Sequence, residues 1–270
     1  MAKKRKPAVQ RYHDRVARRY DASYEDLYWQ FHDALTWDYI KPYLPADLAQ
    51  PVLDLGCGTG KWALKLLHSG YRVTCVDIAG AMVERARRKI EETGAAERAD
   101  FLKADLCDLA ELPTGAFGAA VAMGDPIGCA SSPPKALKEI RKRLRPGGVL
   151  IATLDNKLAA LDYYLEKGSV EEMQRFLRTG RTHWLTQDAD EQFEIHTYTP
   201  AEAMRMFEKA GYEVLEVRGK TVLDVRRQQR LLESTEDRLA WLKLEKSLSK
   251  DSDAVARAGH IQIAARVLAK

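Results

Sequence analysis

Residues 51 to 61 read Pro-Val-Leu-Asp-Leu-Gly-Cys-Gly-Thr-Gly-Lys, and no other stretch limits the fold of this chain so narrowly. Val52, Leu53 and Leu55 form a short apolar run of the kind that is buried on both faces of a sheet. Gly56, Gly58 and Gly60 follow at once, and Trp62, Leu66 and Leu67 then recur at helical spacing until Gly70. The order is strand, glycine turn, helix. It sets bare backbone beside a helix N-terminus, where unpaired N–H groups and the positive end of the helix dipole meet an electron-rich ligand. A dinucleotide loop of the form Gly-x-Gly-x-x-Gly, counted from Gly56, needs glycine at position 61, and that position is Lys.

The next strand, Arg72 to Ile78, ends in a carboxylate at Asp77. An acid about 20 residues beyond the loop, at the tip of the adjacent strand, is placed to accept hydrogen bonds from two ribose hydroxyls. The run from Asp54 to Gly60, Asp-x-Gly-x-Gly-x-Gly, resembles the first motif of the class I S-adenosylmethionine-dependent methyltransferases. The resemblance continues in Lys103-Ala104-Asp105-Leu106 after a third strand and in Arg145-Pro146-Gly147-Gly148 before a strand at Val149 to Leu154. It implies a loop lying along the methionine part of S-adenosylmethionine and Asp105 meeting the adenine amine. The implied cofactor contacts are Asp54, Gly56, Cys57, Gly58, Gly60, Asp77, Ile78, Met82, Asp105, Leu106 and Met123, and the product is S-adenosylhomocysteine. The implied fold is α/β: a Rossmann-like sheet of seven mostly parallel strands, the last antiparallel, with helices on both faces.

At 270 residues and 46% hydrophobic content the chain suits one such domain with elaborations. It divides into a helical lid over 1–45, a cofactor-binding core over 46–156, a cap insertion over 157–198 and a C-terminal part of the core over 199–270. No apolar run reaches membrane-spanning length, so a cytoplasmic protein, monomeric or homodimeric, is expected. Cys57, Cys75, Cys107 and Cys129 lie far apart without a Cys-x-x-Cys pair, which argues against a zinc site and a disulfide framework. The net charge of +4 is uneven. Residues 1 to 19 hold eight Lys or Arg against Asp14 alone, leaving the remainder at −3. That distribution speaks against nucleic acid as the main substrate, and Lys3 to Lys6 read as a solvated tip.

Nine of the 22 aromatic residues fall between Tyr12 and Tyr43, too dense for a leader segment. Tyr12-His13-Asp14 and Tyr20-Asp21 resemble the lead-in of ubiquinone- and menaquinone-type methyltransferases, whose first helices fold over the cofactor. Most of these rings are expected to pack on the sheet, with Tyr20 and Tyr28 the foremost candidates to line the active site. A fourth strand, Gly118 to Asp125, runs into Pro126, the place where the family puts its acceptor chemistry. The Gly124-Asp125-Pro126-Ile127 sequence departs from the Asp/Asn-Pro-Pro-Tyr/Phe pattern of amide-modifying members, which disfavours base or protein-amide methylation. Asp125 there either orients an acceptor or caps the turn. Residues 157 to 180 read as helical, and Arg181 to Thr186 with Gln192 to Thr197 read as two strands of a substrate cap, offering His183 and His196 as polar contacts or as ordinary surface histidines. The expectation is methyl transfer to a small molecule. The alternatives are an RNA methyltransferase, a non-catalytic S-adenosylmethionine-binding protein and a nicotinamide-dependent oxidoreductase, the last disfavoured by Lys61.

Overall fold

A computed structural model describes residues 6–183, 189 and 192–268. In chain order the helices are α1 (Ala8–Val16), α2 (Leu27–Ile40), α3 (Lys61–His68), α4 (Gly80–Glu92), α5 (Pro133–Arg143), α6 (Leu161–Glu166), α7 (Val170–Thr179), α8 (Pro200–Lys209), α9 (Thr235–Leu248) and α10 (Ser252–Val255). The strands are β1 (Val52–Leu55), β2 (Val73–Asp77), β3 (Ala99–Lys103), β4 (Phe117–Ala122), β5 (Leu144–Asp155), β6 (Arg181–Thr182), β7 (Ile195–His196), β8 (Tyr212–Lys220) and β9 (His260–Val267).

Seven strands form one sheet in the order β3-β2-β1-β4-β5-β9-β8. The pairs among β1 to β5 are parallel, and β9 runs antiparallel to both β5 and β8. The chain order reverses at β1 and β4, so the crevice of the sheet opens beyond their carboxyl ends. All residues of β1, β2 and β4 are buried, as their near-continuous apolar sequences require. Their side chains alternate between two cores. Leu53, Leu55 and Ala120 pack with α5 and α8, while Val52, Ala119 and Val121 pack with α3, α4 and Ile40.

Several expected elements are broken by identifiable residues. The helical stretch after residue 157 divides at Gly168-Ser169, where the Ser169 side chain caps α7, and it stops at Gly180 (φ 64°). The stretch between Asp224 and Ala258 likewise restarts at Ser234 and again at Asp251, each capping a new helix. The two cap strands pair over two residues each, Arg181 with His196 and Thr182 with Ile195. The remainder of the first expected strand, from residue 184, lies outside the described residues. The aromatic series of α2 packs mainly inward: Tyr28, Phe31, Leu35 and Tyr39 form a separate core with Val225 and Leu232. Among the described residues, no helix is long and apolar enough to cross a membrane.

Candidate active site

The loop after β1 adopts left-handed backbone at Gly56 (φ 65°), Gly58 (φ 53°) and Gly60 (φ 89°). The first two serve different ends. A Cβ on Gly56 would stand 2.4 Å from the Pro126 side chain, so this position lets the β1 and β4 tips approach. A Cβ on Gly58 would meet only the Tyr20 ring, 3.9 Å away, so this position opens into the cleft. Gly60 turns the chain into α3 and lies against Ala86 of α4.

A cavity of about 210 Å³ lies above the loop. Gly56, Gly58, Asp77, Ile78, Asp105, Leu106 and Met123 form its floor, and Pro7, Val9, His13 and Tyr20 its roof. The sheet thus brings together residues from four strand tips that the sequence spreads over 68 positions, from Gly56 to Met123. The Asp77 carboxylate accepts hydrogen bonds from the N–H groups of Gly58 (3.0 Å) and Ala79 (2.8 Å), which orient it at the end of β2. Burial raises its pKa, against these two N–H donors and the nearby His13. Asp105 Oδ1 accepts from the Cys107 N–H at 2.8 Å.

Other candidate residues stand outside this cavity. Asp54 is buried beneath the loop, pointing at the first turn of α3 without a well-formed hydrogen bond, and burial lifts its pKa to about 7. Met82 is buried between α4 and α1, with Val16 and Ala79. Asp125 sits in left-handed backbone (φ 57°) and holds a turn: its Oδ1 accepts from Gly128 N–H (2.7 Å) and its Oδ2 from Asp155 N–H (3.0 Å). Burial, reinforced by the neighbouring Asp155, raises its pKa well above the usual carboxylate range. His183 lines a distant pocket of about 180 Å³ with Tyr164 and Arg175. His196 bonds to the Gly128 carbonyl through both its backbone N–H and its ring Nδ1, which fastens the insertion to the loop after β4. Tyr20 and Tyr28 separate: Tyr20 covers the glycine loop, whereas Tyr28 lines a cavity of about 970 Å³ beside Asp155 and His260.

The N-terminal segment is pinned over the cleft by specific contacts. Asp14 accepts from the Ala81 N–H at 3.0 Å and so occupies the N-terminus of α4. Asp21 accepts from the Thr59 hydroxyl in the glycine loop and pairs with Lys89. Asp33 of α2 pairs with Lys61 at 2.7 Å. The Phe193 ring packs on α1, 5.7 Å from Tyr12 and 6.0 Å from His13.

A second pocket of about 100 Å³ shares Tyr20, Gly56, Gly58, Met123 and Gly124 with the first and runs inward to Trp29, His32, Thr36 and Lys220. Cys57 lines this inner pocket. Sequence reasoning passed over His13, His32 and Lys220. His13 lies between Tyr12 and Asp14 with no signal of its own, and nothing local distinguishes His32 or Lys220 from neighbours that do not reach the site.

Residues 52–148 match the family model of a methyltransferase domain. The chain is similar to the methyltransferase YodH of Bacillus subtilis, 34% identical over 102 residues that cover 38% of this chain and 42% of that one. It is also similar to the tRNA 5-carboxymethoxyuridine methyltransferase of Escherichia coli (strain K12), 25% identical, with 71% and 70% covered. A third relative is the ubiquinone biosynthesis O-methyltransferase of Xanthomonas axonopodis, 28% identical, with 68% and 72% covered. The match spans less than half of the YodH chain. Among solved structures, an S-adenosylmethionine-dependent methyltransferase from Methanosarcina mazei superimposes with a TM-score of 0.61 at 21% identity, covering 86% of this chain and 98% of that one. With the glycine loop, the acid at the tip of β2 and the seven-strand order in place, residues 52–148 carry a methyltransferase domain, and the chain has the fold of the class I S-adenosylmethionine-dependent methyltransferases.

Proposed function

We propose that this protein transfers the methyl group of S-adenosylmethionine to a small-molecule acceptor held between the N-terminal segment and the tips of β4 and β8. The cofactor suits the residues present. Gly58 leaves room for it at the loop, Asp77 offers a fixed carboxylate for its ribose, and Ile78, Leu106 and Met123 give apolar walls for its base. When bound, the sulfonium supplies an activated methyl carbon. That carbon would pass to an acceptor lone pair in line with the carbon–sulfur bond, with sulfur keeping the bonding pair and losing its positive charge. The chain therefore has mainly to position and to exclude water. The Tyr20 ring over the loop and the Phe193 contact with α1 serve both ends.

The observation that carries the small-molecule reading is the roofed cleft. The outer pocket of about 210 Å³ is roofed by α1, against which Phe193 packs, and the inner one of about 100 Å³ is walled by Tyr20, Tyr24 and α2, which favours an acceptor that enters whole. A second reading, RNA methylation, draws on the tRNA-modifying relative and on the exposed Arg18 and Arg19 at the end of α1. Incubation with methyl-labelled S-adenosylmethionine and a cell extract divided into RNA and metabolite fractions tests the two. Label in the metabolite fraction is expected. Label confined to RNA, with binding that falls steeply between about 50 and 200 mM salt, would replace the first reading by the second.

A further inference from the structure

The inner pocket ends on a buried ammonium without a counter-ion and a buried imidazole without a hydrogen bond. Lys220, at the end of β8, is 1% exposed. Its ammonium donates to three neutral oxygens, Thr36 Oγ1 (2.9 Å), Thr153 Oγ1 (3.0 Å) and Gln262 Oε1 (3.0 Å). Its hydrogen bonds are thus satisfied, yet its charge is not. Among the described residues no carboxylate stands within ion-pair distance, and the nearby Asp33 is already held by Lys61 at 2.7 Å. His32, one turn before Thr36 on α2, is 7% exposed, and both its ring nitrogens lack a hydrogen-bond partner. Its Nδ1 lies 4.0 Å from Asp33 Oδ1, too far for a hydrogen bond.

Burial of an uncompensated cation costs several kcal/mol, and a buried imidazole with neither nitrogen bonded adds to that penalty. Both groups line a cavity continuous with the glycine loop, and aromatic rings of Tyr24, Trp29 and Trp62 form its sides. A planar ligand with an anionic oxygen would relieve both: the imidazole N–H donates to that oxygen while Lys220 supplies the opposite charge from behind Thr36. We propose that the inner pocket binds the methyl acceptor as a small planar anion, a ring carrying a carboxylate or an ionised hydroxyl, recognised by His32 and Lys220. The electrostatic setting agrees. Desolvation lowers the Lys220 pKa to about 7, and burial together with Lys220, Lys61 and Arg226 keeps His32 neutral, with one nitrogen free to donate.

Only the word acceptor rests on the methyl-transfer reading; anion binding is measurable without turnover. Benzoate and its neutral counterpart benzamide are titrated calorimetrically into the full chain saturated with S-adenosylhomocysteine, for wild type, Lys220→Met, Lys220→Arg and His32→Phe. Wild type is expected to bind benzoate at least about tenfold more tightly than benzamide. Lys220→Met and His32→Phe should erase that preference while leaving S-adenosylhomocysteine affinity within about twofold, which also shows that they fold, and Lys220→Arg should retain it. Benzoate binding no better than benzamide, or a preference that survives in Lys220→Met, overturns the proposal. The cofactor's own carboxylate is the rival source of charge. If Lys220→Met weakens S-adenosylhomocysteine about tenfold but leaves 5′-methylthioadenosine, which lacks the amino-acid end, unaffected, the pair serves the cofactor and the proposal also fails. Benzoate binding by a protein that labels no metabolite would instead retain the anion pocket and remove the methyl-transfer reading.

Discussion

At the glycine-loop end of the cleft, the groups facing the cofactor cavity sit on or just beyond strand tips: Gly56 and Gly58 after β1, Asp77 and Ile78 at β2, Asp105 and Leu106 after β3, Met123 after β4. At the inner end, His32 comes from the middle of α2 and Lys220 from the end of β8, 188 positions later, with His260 of β9 stacked edge-on against His32 at 5.2 Å. The first end is backbone geometry plus one oriented carboxylate. The second is a set of buried titratable side chains. A cofactor shared by a whole family can be held by main-chain turns that short motifs encode, whereas the acceptor proposed for this chain would be met by side chains that only tertiary packing brings together.

If the loop end depends on bare backbone, Gly58→Val should have the largest effect of all. A β-branched residue at φ 53° is strained, and its side chain projects into the space above the loop. S-adenosylhomocysteine affinity is expected to fall by more than about 100-fold, or ~2.7 kcal/mol, with a cooperative thermal transition preserved. Near-wild-type calorimetry would mean that the cofactor does not approach this glycine.

Asp77→Ala should follow, weakening the same ligand by about 1.5–3 kcal/mol, the usual worth of hydrogen bonds to a charged group. Part of that loss belongs to the loop itself, because the Gly58 and Ala79 N–H groups lose their acceptor. Comparing S-adenosylhomocysteine with adenosine and with adenine separates the contributions: an equal loss for adenine, which has no ribose, would assign the effect to loop geometry alone.

At the inner end, the sharper test is stability against pH. Lys220 has a folded-state pKa of about 7 against 10.5 for the ordinary side chain. Between those values the unfolded chain binds the additional proton, so stability rises as pH climbs through this window. Below about pH 7 both states are protonated, and the folded one holds a buried cation at full penalty. Lys220→Met removes that titration, at the cost of leaving Thr36, Thr153 and Gln262 without their shared donor, and should therefore flatten the slope of stability between pH 7 and 10. Denaturant melts at several pH values measure this. A slope as steep in Lys220→Met as in the wild type would show that Lys220 does not titrate in this window.

The division also explains what could be read in advance. β1, β2 and β4 announce themselves because sheet interiors demand apolar runs, and the glycines because few other residues fit at those dihedral angles. The antiparallel direction of the last strand followed from the family resemblance. Lys220 was not legible as a site residue. It ends the charged stretch Glu216-Val217-Arg218-Gly219-Lys220, which reads as a solvated strand end, and it is buried because α2, β5 and β9 supply the side chains packed around its ammonium. His32 was hidden similarly, since α2 is apolar on more than one face and buries residues against both the sheet and the segment after β8. Asp125 illustrates the converse. Its position after β4 is conspicuous in the sequence, and in the fold both its oxygens are taken by backbone N–H groups.

Side-by-side calorimetric titration of the wild-type chain with S-adenosylmethionine, S-adenosylhomocysteine and NAD decides whether the roofed cleft over the glycine loop is an S-adenosylmethionine site. Dissociation constants of about 1–100 μM for the two sulfur ligands, with no measurable heat from NAD, are expected. Equal heats from NAD and S-adenosylmethionine would contradict the reading of the loop, of Asp77 and of everything built on them.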